Sequence, residues 1–244
     1  MGEHTPRATI VICSYNYAHY LPRAIESALG QTVDVEIIVV DDASTDDSCA
    51  VAGRYPVRLI EHSINSGSMA QAWTDGIRTA AADYIHFLSA DDYLRRDAIE
   101  LMLGKMQGHD WCYCGLALVD GRGQHLENWS YADWPLDSDA ALARARRTLS
   151  MPVPIVGLHR VSFLRKNHLQ GVRFPSTGYA EDLATALEWV RCRPRICRLD
   201  APVYHYRRHS STTSGAIHAA AKRVLVKREA LKWFSQIDLQ GVDD

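Results

Sequence analysis

Three short runs of apolar residues in the first ninety positions show no alternation with polar residues. They span residues 8–12, 35–40 and 84–88 and are rich in β-branched side chains. Uninterrupted runs of this length are typical of strands that are buried on both faces, as in a parallel sheet. The three runs therefore predict neighbouring strands that are covered by helices on both sides.

The segments between these runs have helical periodicity. Residues 21–29 place their apolar side chains on one stripe, with Pro22 in a first turn, where proline is tolerated. Residues 44–52 begin with Ser-Thr-Asp-Asp, which favours a helix N-terminus. The alanine-rich residues 69–82 predict a third helix. Strand and helix alternate, which indicates an α/β fold with right-handed crossovers.

The pattern is weaker after residue 93. Helices are predicted over residues 95–106, 137–149 and 180–193, and a strand over residues 110–118 is followed by a turn rich in glycine. A final amphipathic helix is predicted over residues 219–234. Because no repeat, linker or low-complexity stretch interrupts the chain, we predict one continuous domain over residues 1–244.

Charge is divided unevenly along the chain, although the formal net charge is only −2. Residues 1–140 carry 9 Lys and Arg against 21 Asp and Glu, a net charge of −12. Residues 141–233 carry 18 against 5, a net charge of +13. Such blocks indicate one part that binds cations and another that binds anions such as phosphates, the alternative being two solvated faces of one protein.

The location expected from the sequence is cytoplasmic. Residues 1–7 are polar, the apolar run after them is too short for a signal peptide, and no stretch approaches the length of a membrane span. The six cysteines have no metal-binding spacing and are expected to be free thiols. The basic helix over residues 219–234 is a candidate for peripheral contact with the inner face of a membrane, although such a helix more often packs on its own domain.

Two pairs of carboxylates follow predicted strands: Asp41-Asp42 comes after the second apolar run and Asp91-Asp92 after the third. In open α/β sheets the ligand crevice lies at the carboxyl ends of the strands, so both pairs are expected to point into it. Oxygen ligands of this kind suit Mg²⁺ or Mn²⁺, which in turn suits a diphosphate. The alternative is that these aspartates are helix caps or turn formers.

Other nucleotide-binding and hydrolytic motifs are missing from the sequence. Residues 13–17 after the first strand read Cys-Ser-Tyr-Asn-Tyr, without the GxGxxG of a dinucleotide-binding loop. The chain also has no GxxxxGK[ST] loop and no GxSxG elbow. A dinucleotide-binding function therefore fails on the phosphate loop, and neither a P-loop nor a serine-hydrolase elbow is present.

Four segments in order resemble the family 2 glycosyltransferases, which have the GT-A fold. Residues 9–16 resemble the opening strand and turn of that family. Residues 36–46 resemble its "EIIVVDDGSTD" segment, with Ala43 in place of the usual glycine. The resemblance implies a GT-A type, Rossmann-like sandwich with a mostly parallel central sheet flanked by helices.

The other two segments depart from the family pattern at single positions. Residues 65–77 resemble its "NxG…NxGi" stretch, with Thr74 near the place of an asparagine. Residues 83–92 resemble "GDYIxFLDADD", with Ser89 in place of the first aspartate of the DxD motif.

The resemblance implies roles for the first half of the chain. Asp41 and Asp42 correspond to the pair that binds the base, usually uracil, and the ribose. Asp91 corresponds to the ligand of Mn²⁺ or Mg²⁺, with Asp92 and Ser89 in support. The remaining nucleotide-binding positions that it implies are Ser14, Tyr15, Asn16, Asn65, Gly67 and Ala90.

Roles for the second half follow from two shorter matches. Glu181-Asp182 resembles the "ED" that supplies the catalytic base, which we assign to Asp182, with Glu181 orienting the acceptor; helix N-terminal acids are the alternative. Residues 206–214 resemble a "YRxHxxS" segment that meets the diphosphate. This implies nucleotide contacts from Arg207 and Arg208 and a metal ligand in His209, although by itself such a histidine reads as a surface residue in a polar loop.

Tryptophans offer a further candidate site for the acceptor. Trp129 and Trp134 lie in an irregular polar stretch and are candidates for a sugar-stacking platform. The apolar neighbours of Trp111, Trp189 and Trp233 predict that these three belong to the core.

We therefore predict a metal-dependent, inverting glycosyltransferase. It moves a sugar from a nucleotide-diphosphate donor, a UDP-sugar by analogy, to a hydroxyl of a saccharide or lipid-linked saccharide in polysaccharide or glycoconjugate synthesis. Residues 1–92 form the donor half, residues 93–214 the acceptor half and residues 215–244 the final helix; nucleic acid is not an expected partner. Two alternatives are a GT-A scaffold without activity, suggested by Ser89, and a sugar nucleotidyltransferase, which would need a glycine-rich phosphate loop.

Overall fold

The computed structural model describes residues 5–149, 156–167 and 181–209, with the backbone alone at residue 181, and residues 224, 227, 228, 231, 232, 234 and 235. The strands are β1 (Ala8–Ser14), β2 (Val35–Asp41), β3 (Arg58–Glu61), β4 (Tyr84–Ser89), β5 (Tyr93–Leu94), β6 (Trp111–Asp120), β7 (His125–Trp129), β8 (Gly157–Arg160) and β9 (Ile196–Arg208). The helices are α1 (Leu21–Leu29), α2 (Ser48–Ala52), α3 (Met69–Thr79), α4 (Ala98–Leu103), α5 (Ser138–Thr148), α6 (Val161–Asn167) and α7 (Glu181–Arg191).

The strands form one sheet in the order β3-β2-β1-β4-β8-β6-β9-β5, and β7 pairs with β6. β1 is parallel to both β2 and β4, and β2 is parallel to β3. The predicted α/β fold with strands from the three apolar runs is confirmed. The second half contains a parallel pair, β6 with β9, and adds antiparallel pairs, because the chain folds back from β6 into β7 and β8 enters between β4 and β6.

Two layers of helices explain why the central strands lack alternation. On β1, Ile10 faces one apolar cluster, which contains α1, whereas Val11 faces a second cluster. The second cluster contains Trp73 from α3, Trp189 from α7 and Trp111 from β6. Each fully buried aliphatic or aromatic side chain stabilises the fold by about 1.5–3 kcal/mol. The sheet is therefore fixed from both sides, and its carboxyl-terminal edge is held in a defined shape.

Three predicted helices are shorter in the structure. α2 begins at Ser48 instead of residue 44, because residues 44–46 take part in a hydrogen-bonded turn. α3 ends at Thr79 instead of residue 82, because the next backbone N–H groups turn to the strands: Ala81 donates to Glu36. α4 covers residues 98–103 within the predicted range 95–106.

The long strand β9 has no counterpart in the sequence prediction. Arg198, Asp200 and Pro202 interrupt its apolar pattern, and its register against β6 shifts at Gly115. The strand forms because its backbone pairs with β6 in parallel over ten register pairs. Its position matters for function, since β9 carries residues 204–208 to the end of β4.

Several further predictions concern the cysteines and the end of the chain. All six cysteines are free, as predicted, and Cys13 and Cys112 are buried. In the described part of the final segment the residues are helical, and Phe234 packs on Leu183 and Leu187. Among the described residues no helix is both long and apolar enough to cross a membrane. Contact of residues 219–234 with lipid stays a prediction, as does the single domain, because much of this segment lies outside the described residues.

Candidate functional site

The two acidic pairs meet at one edge of the sheet, as the sequence predicts. Ser14 at the end of β1 pairs with Asp41 on one side, and Cys13 pairs with Ser89 on the other. Backbone hydrogen bonds extend the pairing on both sides of β1: Asp42 N donates to Ser14 O (2.9 Å), and Ala90 N donates to Cys13 O (3.0 Å). The carboxyl ends of three parallel strands thus place both pairs in one crevice.

Asp41 shapes the loop after β2. It is 1% exposed, and its carboxylate accepts hydrogen bonds from the backbone N–H and the hydroxyl of Ser44, both at 2.7 Å. Asn16 in the neighbouring loop accepts from Thr45 N at 2.8 Å and donates its own backbone N–H to the Ser44 hydroxyl. These bonds tie the loops after β1 and β2 together, so Asp41 and Asn16 form the floor of the crevice.

The backbone at Ala43 adopts a conformation that favours the glycine usual at this position of the family pattern. Its φ is +60°, a left-handed conformation that costs a non-glycine residue about 1–2 kcal/mol. We expect Ala43→Gly to raise the free energy of unfolding by about 1 kcal/mol, since relief of strain exceeds the entropy that glycine adds to the unfolded chain. Denaturant unfolding measures the change.

A matched control for this substitution is Ala50→Gly. Ala50 is exposed on α2, where glycine should lower the free energy of unfolding by about 0.5–1 kcal/mol. If both glycine variants lose stability equally, the loop around Ala43 carries no relievable strain.

Asp42 is bound by the loop that precedes α3. The backbone N–H of Ser66 donates to both oxygens of Asp42, at 3.0 and 3.1 Å, and the Ser66 hydroxyl donates at 2.9 Å. Asn65 accepts from Gly67 N, and Gly67 adopts a φ of +69°, which glycine tolerates without strain. Asn65 and Gly67 therefore form the turn that brings Ser66 to Asp42.

His62 is a site residue that the sequence analysis missed. Its Nδ1 lies 2.8 Å from Asp42 Oδ1, and its Nε2 lies 2.9 Å from Asp75 Oδ2 on α3. Burial lowers the pKa of His62, but the two carboxylates outweigh burial and leave its pKa above the ordinary value. An isolated histidine just after a short strand gives no sequence signal of this contact.

The two carboxylates of the second acidic pair have different hydrogen-bond partners. Asp91 Oδ2 lies 3.2 Å from Nε2 of His209, whose side chain is 6% exposed. The placement of His209 thus differs from a surface histidine in a loop. Burial raises the pKa of Asp91, opposed by the hydrogen bond with His209. Tyr17 and Tyr20 hold the His209 ring, with ring centroids 5.9 and 4.6 Å away.

Asp92 is buried and already bound on both oxygens. The Tyr204 hydroxyl donates to it at 2.6 Å, and the backbone N–H of Arg207 donates at 2.7 Å. Burial, and then the charge of Asp91, raise the pKa of Asp92 well above its usual value. Asp92 thus supports the site by joining β9 to the loop after β4, and Tyr204 is a second residue that the sequence analysis did not single out.

The two arginines of β9 have different surroundings. Arg207 is buried, its Nε donates to Asp91 O at 2.7 Å and its NH1 donates to Gly121 O at 3.1 Å. These bonds make Arg207 part of the frame around Asp91. Arg208 instead lies 3.6 Å from Glu127 on β7.

The remaining donor-side positions lie around the same edge. Tyr15 is half exposed at the end of β1, and Ala90 is buried beneath Asp91. The hydroxyl of Ser14 is buried and, among the described residues, has no hydrogen-bond partner. The backbone oxygen of Ser89 accepts from Asp92 N at 3.1 Å. This bond closes the tight turn that contains Asp91.

The predicted catalytic acids lie on another element. Asp182 is exposed at the start of α7, and its Oδ1 accepts from Leu183 N at 2.8 Å. The side chain of Glu181 lies outside the described residues. α7 itself packs against α5 and α3. The role of Asp182 as a base and that of Glu181 stay predictions.

The tryptophans divide much as predicted. Trp111 and Trp189 are fully buried, and Trp233 lies outside the described residues. Trp129 is 49% exposed and stacks on Tyr131 with an interplanar angle of 20°. The guanidinium of Arg144 lies 3.9 Å from the ring centroid of Trp134. A sugar platform on Trp129 or Trp134 stays a prediction.

The donor set at Asp91 suits a divalent cation that also takes ligands from its substrate. Within the described part of the chain no group of three or more His, Cys, Asp or Glu side chains could hold a metal ion. Asp91 and His209 nevertheless face each other at 3.2 Å, as two ligands of one ion would. Mg²⁺ typically binds through one or two carboxylates together with substrate phosphates, and Mn²⁺ accepts the same oxygen ligands.

Comparisons with known sequences show which family the chain resembles. The model of the family described as "Glycosyl transferase family 2" matches residues 9–168. Glycosyltransferase GlyG of Streptococcus pneumoniae is 25% identical over 235 residues, which cover 84% of this chain and 71% of GlyG. Chondroitin synthase of Escherichia coli is 33% identical over 152 residues, which cover 59% of this chain and 22% of that enzyme. The chain spans 41% or less of the other curated relatives compared.

Solved structures share the fold. Staphylococcus aureus TarS 1–349 in complex with UDP-GlcNAc has a TM-score of 0.70 at 20% identity, covering 87% of this chain and 61% of that one. A mannosyltransferase from Pyrobaculum calidifontis in complex with GDP-Man and Mn²⁺ has a TM-score of 0.58 at 19% identity, covering 84% and 57%. Together with the family match over most of its length, they show that this chain belongs to glycosyl transferase family 2, with a GT-A type fold.

Proposed function

We propose that the chain transfers a sugar from a nucleotide-diphosphate donor, a UDP-sugar, to a saccharide hydroxyl. The observation that carries this proposal is the meeting of Asp42 and the Asp91–His209 pair at one edge of the sheet. Asp42 lies on the side of α3, where we place the nucleoside, and the loop of Asp91 is bonded to Arg207 of β9. The complex of TarS with UDP-GlcNAc supports a UDP-sugar as the donor.

Each residue of the edge has a task in this proposal. Asp42 accepts a hydrogen bond from the nucleoside, while Asp41 and Asn16 hold the floor on which it rests. Tyr15 lines the path from the nucleoside to the diphosphate, whereas Ala90 is fully buried and supports the edge from behind. Arg207 keeps the Asp91 loop in place, and Arg208, which is half exposed, can move from Glu127 to a phosphate.

Asp91 and His209 would hold Mn²⁺ or Mg²⁺. Such an ion supplies positive charge at the diphosphate, where negative charge grows as the sugar leaves. The chain's own contribution is the orientation of these two ligands: Tyr17 and Tyr20 fix the His209 ring, and Ser89 and Asp92 fix the turn that carries Asp91. The complex of the mannosyltransferase with GDP-Man and Mn²⁺ supports this assignment.

Asp182 would act on the other substrate. It is exposed at the start of α7, where an acceptor hydroxyl could reach it and give up its proton. Attack by that hydroxyl on the face of the sugar opposite the diphosphate inverts the anomeric centre. The basic second half, with a net charge of +13 over residues 141–233, supports a phosphate-containing or otherwise anionic acceptor, such as a lipid-linked saccharide met at the membrane surface.

The acceptor is proposed to be a growing polysaccharide or glycoconjugate. The identity with chondroitin synthase over 152 residues supports this choice, although that match covers 22% of the enzyme. A cytoplasmic location, with the helix of residues 219–234 resting on the membrane, is consistent with such an acceptor.

The proposal is tested by incubating the purified chain with UDP-GlcNAc, UDP-glucose and GDP-mannose, with Mn²⁺ or with chelator, and measuring nucleoside diphosphate release. We expect release from at least one UDP-sugar, dependent on Mn²⁺, while GDP-mannose stays intact. Binding of nucleotide without release under any condition, acceptor mixtures included, would instead support the GT-A scaffold suggested by Ser89.

A further inference from the structure

His62 makes two contacts that join a donor-site aspartate to a helix. Its ring lies between Asp42 at the end of β2 and Asp75 in the middle of α3, at 2.8 and 2.9 Å. All three side chains are at most about one-fifth exposed. Asp75 is fixed in turn, since Gln71 donates to it at 3.1 Å and Arg78 lies at 3.8 Å. The ring therefore anchors Asp42 to an element that is itself held in place.

The hydrogen bonds of Asp42 leave it little freedom. Oδ1 accepts from His62 and from Ser66 N, and Oδ2 accepts from the hydroxyl and N–H of Ser66. The Ser66 N–H is shared between the two oxygens, so three donors occupy Asp42. A carboxylate offers about four lone-pair positions, which leaves one for a nucleoside N–H or hydroxyl. The direction of that last position depends on the torsion angle of the carboxylate, which His62 and Ser66 set together.

We propose that His62 is a positioning residue for donor binding, which turns the free lone pair of Asp42 toward the nucleoside of the donor. This proposal rests on the proposed function, since it assigns Asp42 to the nucleoside. His62 touches no substrate atom in this account. It acts only through Asp42.

The hydrogen bond between His62 and Asp42 should depend on pH, because the number of N–H groups on imidazole changes with its protonation. Protonated His62 donates from both nitrogens, to Asp42 and to Asp75, whereas neutral His62 can donate from only one. The charges that act on the ring are those of Asp42 and Asp75, with Arg78 behind Asp75. Asp41 and Glu61 are neighbours along the strands, and Asp41 is bonded to Ser44. Nucleoside affinity should thus be highest at low pH and should fall as pH rises through the pKa of His62, which lies above its ordinary value.

Two substitutions separate the two contacts. The amide nitrogen of asparagine lies near the position of Nδ1, so His62→Asn can keep the bond to Asp42. The longer glutamine places its amide near Nε2, so His62→Gln can keep the bond to Asp75 but loses Asp42. A residue that only joined β3 to α3 would tolerate glutamine better than asparagine. A positioning residue for Asp42 predicts the opposite order.

The test measures UDP affinity by calorimetry at fixed Mn²⁺ from pH 6 to 8.5, with the melting temperature of each variant. We expect His62→Gln to weaken UDP binding about tenfold at low pH, the loss of one hydrogen bond to a charged group. Its affinity should follow pH less steeply than that of the wild type, and the difference between the two series removes the titration of UDP itself. His62→Asn should stay within about threefold of the wild type.

Other outcomes overturn the proposal. Equal affinity in both variants and the wild type, or a greater loss in His62→Asn, rejects a role for His62 in positioning Asp42. If both variants fail to fold, Asp75→Asn replaces them: loss of one carboxylate lowers the pKa of His62, so the fall in affinity must move to lower pH. A wild type that binds no nucleoside diphosphate rejects the proposed function itself, which is a distinct result.

Discussion

Substitution of Asp91 by asparagine is expected to weaken Mn²⁺-dependent binding of UDP by about a hundredfold. Asp91 is the carboxylate of the pair that we propose as the cation site, and Nε2 of His209 lies 3.2 Å from it. Asparagine keeps the shape and the turn but removes the negative charge that a divalent cation needs. Affinity measured with chelator present should hardly change, because nucleoside contacts at Asp42 remain.

A matched control comes from the same edge of the sheet. Asp47 is exposed just before α2, and Asp47→Asn removes one negative charge without touching Asp91 or His209. We expect it to bind UDP as the wild type does, because exposed charges are screened by salt. A similar loss in both variants would mean that only the overall charge of the edge matters, and no metal ligand would be assigned to Asp91.

Substitution of Asp182 by asparagine is expected to separate transfer from donor binding. The rate of transfer should fall by about a hundredfold or more, the usual contribution of a positioned base, while affinity for the UDP-sugar stays nearly unchanged. The residue lies at the start of α7, on a different element from Asp42 and Asp91. Release of UDP in the presence of acceptor measures the rate, and slow donor hydrolysis by water serves until an acceptor is known.

Glu181→Gln provides the comparison for Asp182. We expect it to lose less activity than Asp182→Asn, since Glu181 is assigned to the orientation of the acceptor. The reverse order would move the base to Glu181. A large loss of melting temperature in Asp182→Asn, with transfer per folded molecule intact, would mean that the carboxylate serves the helix N-terminus, where its Oδ1 accepts from Leu183 N.

The first half of the fold was predictable because its signals are local. The apolar run of residues 8–12 predicts the strand β1 directly, because each face of this strand packs on a separate helical layer. The meeting of Asp41 and Asp91 at one edge follows from parallel strands, which end on the same side. The start of α2 was misplaced, because Ser44 forms a hydrogen-bonded turn with Asp41 in the place of a helix cap.

The contacts that complete the site were not predictable from the residues alone. His209 and Tyr204 reach the acidic pair only because β9 crosses to the end of β4. The polar, interrupted sequence pattern of β9 does not predict a strand. His62 and Asp75 are brought together by the packing of α3 on the sheet. These contacts join residues that are distant in sequence, so no local pattern predicts them. His209 was identified only through the motif that resembles the family.

We propose that the edge of the sheet binds a nucleoside diphosphate together with a divalent cation. Calorimetric titration of the wild-type chain with UDP, once with Mn²⁺ and once with chelator, tests it most directly. We expect saturable binding of one UDP per chain that weakens by at least about a hundredfold when the cation is removed. The absence of UDP binding with Mn²⁺ present, or an affinity that is the same with chelator, would contradict it.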